Sequence, residues 1–155
     1  KLSIKNHEVL RVDSIEFPLI ESYEVEFAVY DGTNKEQLFI NPFFVNRISK
    51  NPFNLNERTY PVDLGSTSDE RIVINISLPE KYELLEKPKD MAIGLPNGGG
   101  RYLLQSTVTD NQLNLNQMLQ FNKAIYSSDE YLYLKEFYSK IIQNQKTDLI
   151  IKATK

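Results

Sequence analysis

The chain has 155 residues, 41% hydrophobic and 25% charged, the proportions of an ordinary globular domain and not of a disordered segment. Its 18 basic and 21 acidic residues give a net charge of −3, and the absence of any basic block of five or six residues argues against a nucleic-acid binder. It has no cysteine, which excludes disulfides, thiolate metal sites and a cysteine nucleophile.

A chain this long buries roughly two thirds of its unfolded surface, so a core can form without metal or cross-link. One domain is expected over residues 20–155, with residues 1–19 a linker or an N-terminal strand region. Uncharged apolar stretches run for only a few residues, so no membrane insertion is expected. The chain starts at Lys1 without Met or a signal-type segment, as an excised fragment or mature region would.

Strand signals dominate the first four fifths. Residues 22–30 alternate, with Tyr23, Val25, Phe27 and Val29 on one face and Glu24 and Glu26 on the other, the period of a half-buried antiparallel strand. Asp31-Gly32 offers turn chemistry, and Leu38 and Ile40 resume the alternation, which predicts a hairpin. Asn-Pro at 41–42 and 51–52, with Pro61 beyond, predicts an ordered connection over 41–65 with at most a turn of helix near 45–48. Ile72, Ile74, Ile76 and Leu78 line one face of a strand that Pro79 stops; burying each is worth roughly 1.5–3 kcal/mol.

Weaker strands follow near 81–85 and 90–95, and Asn97-Gly98-Gly99-Gly100 predicts a turn. Residues 101–109 and 112–121 predict a hairpin about Asp110-Asn111. In its second strand Leu113, Leu115, Leu119 and Phe121 share a face that Gln117 interrupts, requiring either a bulge or a buried, hydrogen-bonded amide. Ser127-x-x-Glu130 fits a capping box, and Tyr131, Leu134, Phe137, Tyr138, Ile141 and Ile142 follow at helical spacing, predicting a helix over about 128–145. Leu149 and Ile151 predict a short final strand. The expected fold is mainly β: an antiparallel, jelly-roll-like β-sandwich with one C-terminal amphipathic helix covering an edge or end.

Catalytic chemistry finds little footing. His7, the only histidine, lies in a polar segment, and no G-x-S-x-G elbow accompanies it for a stand-alone hydrolase. The glycine run 98–100 is followed by Arg101 and a strand, without the Lys-Ser/Thr and helix of a phosphate loop. Asp69-Glu70 and Asp129-Glu130 are sequence neighbours, which fits solvated charge or helix capping better than a facing carboxylate pair. No catalytic, cofactor-binding or metal-ligating residue is expected. The two Asn-Pro-Phe tripeptides, 41–43 and 51–53, are read as turns that plant an aromatic in the core, and the sequon Asn75-Ile76-Ser77 falls within a strand.

Three stretches carry a resemblance. They are Asn51-Pro52-Phe53 with Glu57-Arg58-Thr59-Tyr60-Pro61-Val62-Asp63-Leu64-Gly65; Leu95-Pro96-Asn97-Gly98-Gly99-Gly100; and Phe121-Asn122-Lys123 leading into Ser127–Tyr131, then Leu134-Lys135-Glu136-Phe137-Tyr138 and Gln145. In that order they resemble the C-terminal β-sandwich domain of unknown function that follows a transglutaminase-like domain in exported bacterial proteins. The likeness spans about residues 20–152, and Leu64 stands where the family usually has an aromatic.

The resemblance implies a non-catalytic accessory domain with no cofactor. Its partner would be a preceding transglutaminase-like domain of the same chain, in the periplasm or at the cell surface. A carbohydrate- or peptide-binding sandwich module is the alternative. The structural candidates are Asn51, Pro52, Phe53, Arg58, Tyr60, Pro61, Asp63 and Gly65. Arg58 is expected to pair with Asp63 across the Pro61 bend, with Tyr60 and Phe53 packed beneath.

Overall fold

The computed structural model describes residues 2–13, 15–17, 20–27, 37–78 and 80–154. In chain order the strands are β1 (Leu2–Leu10), β2 (Ile20–Phe27), β3 (Gln37–Ile40), β4 (Val62–Asp63), β5 (Ser68–Ser77), β6 (Tyr82–Glu86), β7 (Met91–Gly94), β8 (Gly100–Thr109), β9 (Gln112–Phe121) and β10 (Ile125–Tyr126). Helix α1 (Tyr131–Gln145) and strand β11 (Leu149–Ala153) follow.

Asp110 and Asn111 turn the chain between β8 and β9 with φ of 48° and 60°, the left-handed pair that suits a two-residue hairpin. The hairpin anchors an antiparallel sheet ordered β5-β9-β8-β7. Its register places Ile72, Gln117 and Leu104 side by side, then Ile74, Leu115 and Ser106, so the apolar residues of three strands fall on one face. A second sheet, β3-β11-β6, packs its Leu149, Ile151, Leu38, Ile40 and Leu84 on the end of that face built from Leu113, Leu115, Ile74 and Ile76. Helix α1 covers the other end, where Tyr131, Leu134, Phe137 and Ile141 meet Tyr102, Leu104, Leu119 and Phe121. The second layer of the sandwich is therefore shared between a small sheet and the helix.

One sequence expectation changes. Strands β2 and β3 do not pair: β2 pairs with β1, and β3 with β11. Alternation shows that a segment is extended but does not choose its partner, and Leu38 and Ile40 find theirs in Ile151 and Leu149, more than a hundred residues on. The turn expected at Asp31-Gly32 and the stop at Pro79 lie outside the described residues. No helical turn forms at 45–48; the connection bends there through Asn46 at φ 49°.

The helix starts as its sequence predicts, though through a 3-10 turn, Ser128–Glu130. The Glu130 carboxylate accepts from the Ser127 backbone N–H at 2.9 Å and pairs with Lys123 Nζ at 2.6 Å. These contacts, Lys123 foremost, hold the Glu130 carboxyl below its ordinary value. A carboxylate depressed in the folded state stabilises above its unfolded pKa and loses that contribution as pH falls through the folded one. At pH 7 the wild type should therefore exceed Glu130→Gln in stability by about 1 kcal/mol. Thermal unfolding followed against pH should show that lead shrinking once pH drops below the unfolded value of 4.5.

Candidate functional site

The long connection between β3 and β5 is fastened to α1 by the two Asn-Pro-Phe tripeptides, which repeat one device. Asn41 Oδ1 accepts from the Phe43 N–H (3.1 Å) and Asn51 Oδ1 from the Phe53 N–H (2.9 Å), each closing an Asx turn that points a buried phenyl ring inward. The amide nitrogens then reach the helix. Asn41 Nδ2 donates to the Gln145 carbonyl (3.1 Å) and to Asp148 Oδ1 (2.9 Å). Asn51 Nδ2 donates to the Lys135 carbonyl and to Ser139 Oγ, both at 2.8 Å. Gln145 ends the helix, so Asn41 satisfies a carbonyl that has no intrahelical partner. Further along, Tyr131 Oη accepts from the Leu55 N–H (2.8 Å), and Lys135 Nζ donates to the Leu55 carbonyl (2.8 Å).

Beneath the helix runs a buried polar chain. The Ile48 N–H donates to Gln145 Oε1 (2.9 Å), and Gln145 Nε2 donates to Gln117 Oε1 (2.9 Å). Tyr102 Oη lies 3.1 Å from Asn144 Oδ1 and 3.3 Å from Gln117 Oε1, and Asn144 Nδ2 donates to the Lys89 carbonyl (3.0 Å). Burial pushes the Tyr102 phenol far above its usual value, so it stays a neutral donor. Gln117 sits in unbroken register with both neighbouring strands, so of the two possibilities posed by its place in the Leu stripe the structure has the bonded amide. Asn144 and Gln145 are buried too; their polarity hid them, and only their phase on the helix could have marked them.

The run 58–65 is placed differently from expectation. Arg58 does not pair with Asp63: its Nε donates to the Tyr60 carbonyl (3.1 Å), and Asp63 Oδ1 accepts from the Gly65 N–H (2.8 Å). Tyr60 is 77% exposed and packs under nothing, while Phe53 is buried between Tyr131 and Tyr138. The chain bends at Thr59–Tyr60 with Arg58, Tyr60 and Pro61 all exposed, and the buried residue of the run is Val62. Gly65 takes φ 81°, which a side chain would disfavour. Strand β4 pairs with β10, and the Leu64 N–H donates to the Ala124 carbonyl (2.8 Å); Leu64 itself packs on the core.

The glycine run forms a turn with close packing on both sides. Gly98 has φ 66°, and a Cβ on Gly100 would stand 2.5 Å from the Gln120 carbonyl. The Gly98 carbonyl accepts from Asn122 Nδ2 (2.8 Å), and the Gly99 carbonyl from Tyr126 Oη (2.6 Å). The three stretches that carry the resemblance thus hold one another: 51–55 grips α1, 62–64 pairs with the segment before it, and 98–99 bonds to 122 and 126.

One group with catalytic residue types was missed in the sequence. Lys87 Nζ contacts Ser106 Oγ and donates to the Ser106 carbonyl (3.0 Å), while Ser106 Oγ donates to Asp90 Oδ1 (2.7 Å). A serine nucleophile needs a lysine that accepts its proton. Here the lysine donates, and the hydroxyl proton goes to a carboxylate that the Ser106 hydrogen bonds hold below its ordinary value. The arrangement is an anchor for the β6–β7 connection. A groove of about 400 Å³ beside edge strand β7 and α1 is lined by Ile93, Leu95, Pro96, Tyr133 and Phe137, with the Glu136–Lys140 pair (2.9 Å) at its rim.

A family described as a domain of unknown function with solved structure, DUF3858, matches residues 36–151, three quarters of the chain. The chain belongs to the DUF3858 family. No curated protein matches it. Among solved structures, a crystal structure of "a putative protease" from Parabacteroides distasonis superposes with a TM-score of 0.58 over 76% of this chain at 16% identity, which shows a shared fold. This chain spans 24% of that one.

Within the DUF3858 region, Asn51 and Phe53 are brought onto the helix, whereas Pro52, Arg58, Tyr60, Pro61, Asp63 and Gly65 lie along an exposed path. The outer face of the four-stranded sheet carries Arg101, Gln120, Asp69 and Arg71 in a hydrogen-bonded row above Met118, Leu103 and Val73, with no aromatic ring on it among the described residues. Stacking of a sugar on that face therefore lacks its usual platform.

Proposed function

We propose that this DUF3858 domain is a non-catalytic accessory module that supports and positions a transglutaminase-like domain in a longer, exported bacterial protein. The observation that carries the reading is the use made of its polar groups. Asn41, Asn51, Gln117, Tyr102, Asn144 and Gln145 are bonded into the fold, and Ser106, Lys87 and Asp90 are bonded to one another and to the backbone. The span of 24% of a chain named as a protease supports a place beside a larger catalytic body.

The test uses the purified 155-residue chain and the longer polypeptide encoded by its reading frame. The chain alone is expected to turn over no peptide, amide or ester substrate, and its removal from the longer polypeptide is expected to lower the melting temperature of what remains. Turnover by the chain that a point substitution within it abolishes would sink the reading, as would a catalytic neighbour indifferent to its removal.

The groove beside β7 favours a second reading, a peptide-binding module. An open sheet edge next to an apolar trough can accept an extended strand. A thermal shift of the isolated chain with a peptide library, lost in Tyr133→Ala, would select it.

A further inference from the structure

Strands β1 and β2 form a two-stranded antiparallel sheet of their own, and neither pairs with either layer of the sandwich. The family match begins at residue 36, beyond both strands. A lone two-stranded ribbon is marginal in water. This one also exposes apolar side chains that the sandwich would normally bury.

The ribbon's two faces differ in kind, and a bulge makes them so. Ile4 lies opposite Val25, and Asn6 opposite Glu24, so Lys5 is one residue extra on β1. Beyond it His7 faces Tyr23 and Val9 faces Glu21. Without the bulge, Ile4 would share its face with Asn6 and Glu8; with it, Ile4, His7 and Val9 join Tyr23 and Val25 on one side. The other side carries Ser3, Asn6, Glu8, Ser22, Glu24 and Glu26, an acidic face suited to water, with the apolar Leu10–Ile20 pair confined to its far end. Ile4, Val9, Tyr23 and Val25 are 58, 39, 52 and 38% exposed, which gathers unburied apolar surface on the first face.

The one carboxylate on that face is already hydrogen-bonded within it. Glu21 Oε1 accepts from Tyr23 Oη at 2.5 Å and lies 2.9 Å from His7 Nε2, while the His7 and Tyr23 rings stack at 4.4 Å. A carboxylate whose hydrogen bonds are made by its own neighbours costs less to cover than a bare one. The chemistry fits a partner surface that is apolar over Ile4, Val9 and Val25 and leaves Glu21 at its rim.

We propose that the Ile4–Val9–Tyr23–Val25 face of the ribbon is where a neighbouring domain of the same polypeptide seats. This rests on the accessory reading above and gives it a location. Two findings favour that occupant. The ribbon lies outside the family match, on its N-terminal side. About three quarters of the similar solved chain lies outside the matched region, so a body large enough to cover the face is available there.

Hydrogen exchange by mass spectrometry on the longer polypeptide and on the 155-residue chain decides it. The β1 and β2 amides should exchange at least tenfold more slowly in the longer polypeptide. Val25→Asp should abolish that protection while leaving α1 exchange unchanged, and Glu24→Ala, on the acidic face, should preserve it. Equal exchange in both proteins overturns the proposal. So does concentration-dependent protection in the 155-residue chain with a doubled mass by light scattering, which would make the occupant a second copy. If the ribbon is unprotected but removal of the chain still lowers the neighbour's melting temperature, this seat is wrong and the accessory reading stands.

Discussion

Replacing Phe53 with alanine is expected to cost about 3–5 kcal/mol. The ring is buried, lies edge-on to Tyr131 at 5.6 Å and to Tyr138 at 5.2 Å, and is held there by the Asx turn of Asn51. Truncation removes these contacts and opens a void beneath a turn whose ends are tied to the helix, so the site cannot collapse freely. At this chain length the melting temperature should fall by roughly 10 °C or more. Tyr60→Ala is the control from the same motif: the side chain is 77% exposed, and its loss should stay within about 0.5 kcal/mol. Urea unfolding of both variants checks the pair. Equal destabilisation would mean that the 51–60 connection packs in solution differently from the contacts described above.

The contrast between those two aromatics shows what the sequence made legible. Elements whose evidence was local came through: the 101–121 hairpin with its Asp110-Asn111 turn, the helix behind Ser127 and Glu130, and the final strand at Leu149. What depended on partners distant in the chain did not. Leu38 and Ile40 alternate as any strand would, but only the fold pairs them with Leu149 and Ile151.

The β1 pattern was obscured because the bulge at Lys5 shifts the period from Ile4 to His7, and a two-residue count loses phase there. Arg58 and Asp63 have opposite charges and suitable spacing, yet a backbone carbonyl and a backbone N–H were nearer partners for each. Among exposed groups a salt bridge has little energy with which to compete. The candidate site was legible as motif residues and not as geometry: the doubled Asn-Pro-Phe stood out, while the reach of each amide to α1 needed the helix in place.

Gln145→Leu is expected to destabilise the chain by about 2–4 kcal/mol, although it replaces a polar residue with an apolar one in the core. The loss comes from what the amide leaves behind. The Ile48 N–H loses its acceptor, and Gln117 Oε1 loses its closer donor and keeps only the Tyr102 hydroxyl at 3.3 Å. Each buried group left short of a partner costs about 1–3 kcal/mol, more than leucine regains by its transfer from water. Gln117→Leu should behave alike from the other side, despite completing the stripe of Leu113, Leu115 and Leu119, because Gln145 Nε2 is then stranded. The double variant removes donor and acceptor together, so its loss should fall short of the summed single losses by at least about 1 kcal/mol. Denaturant unfolding of the four proteins measures that coupling. Strict additivity would mean that the two amides do not bond beneath the helix.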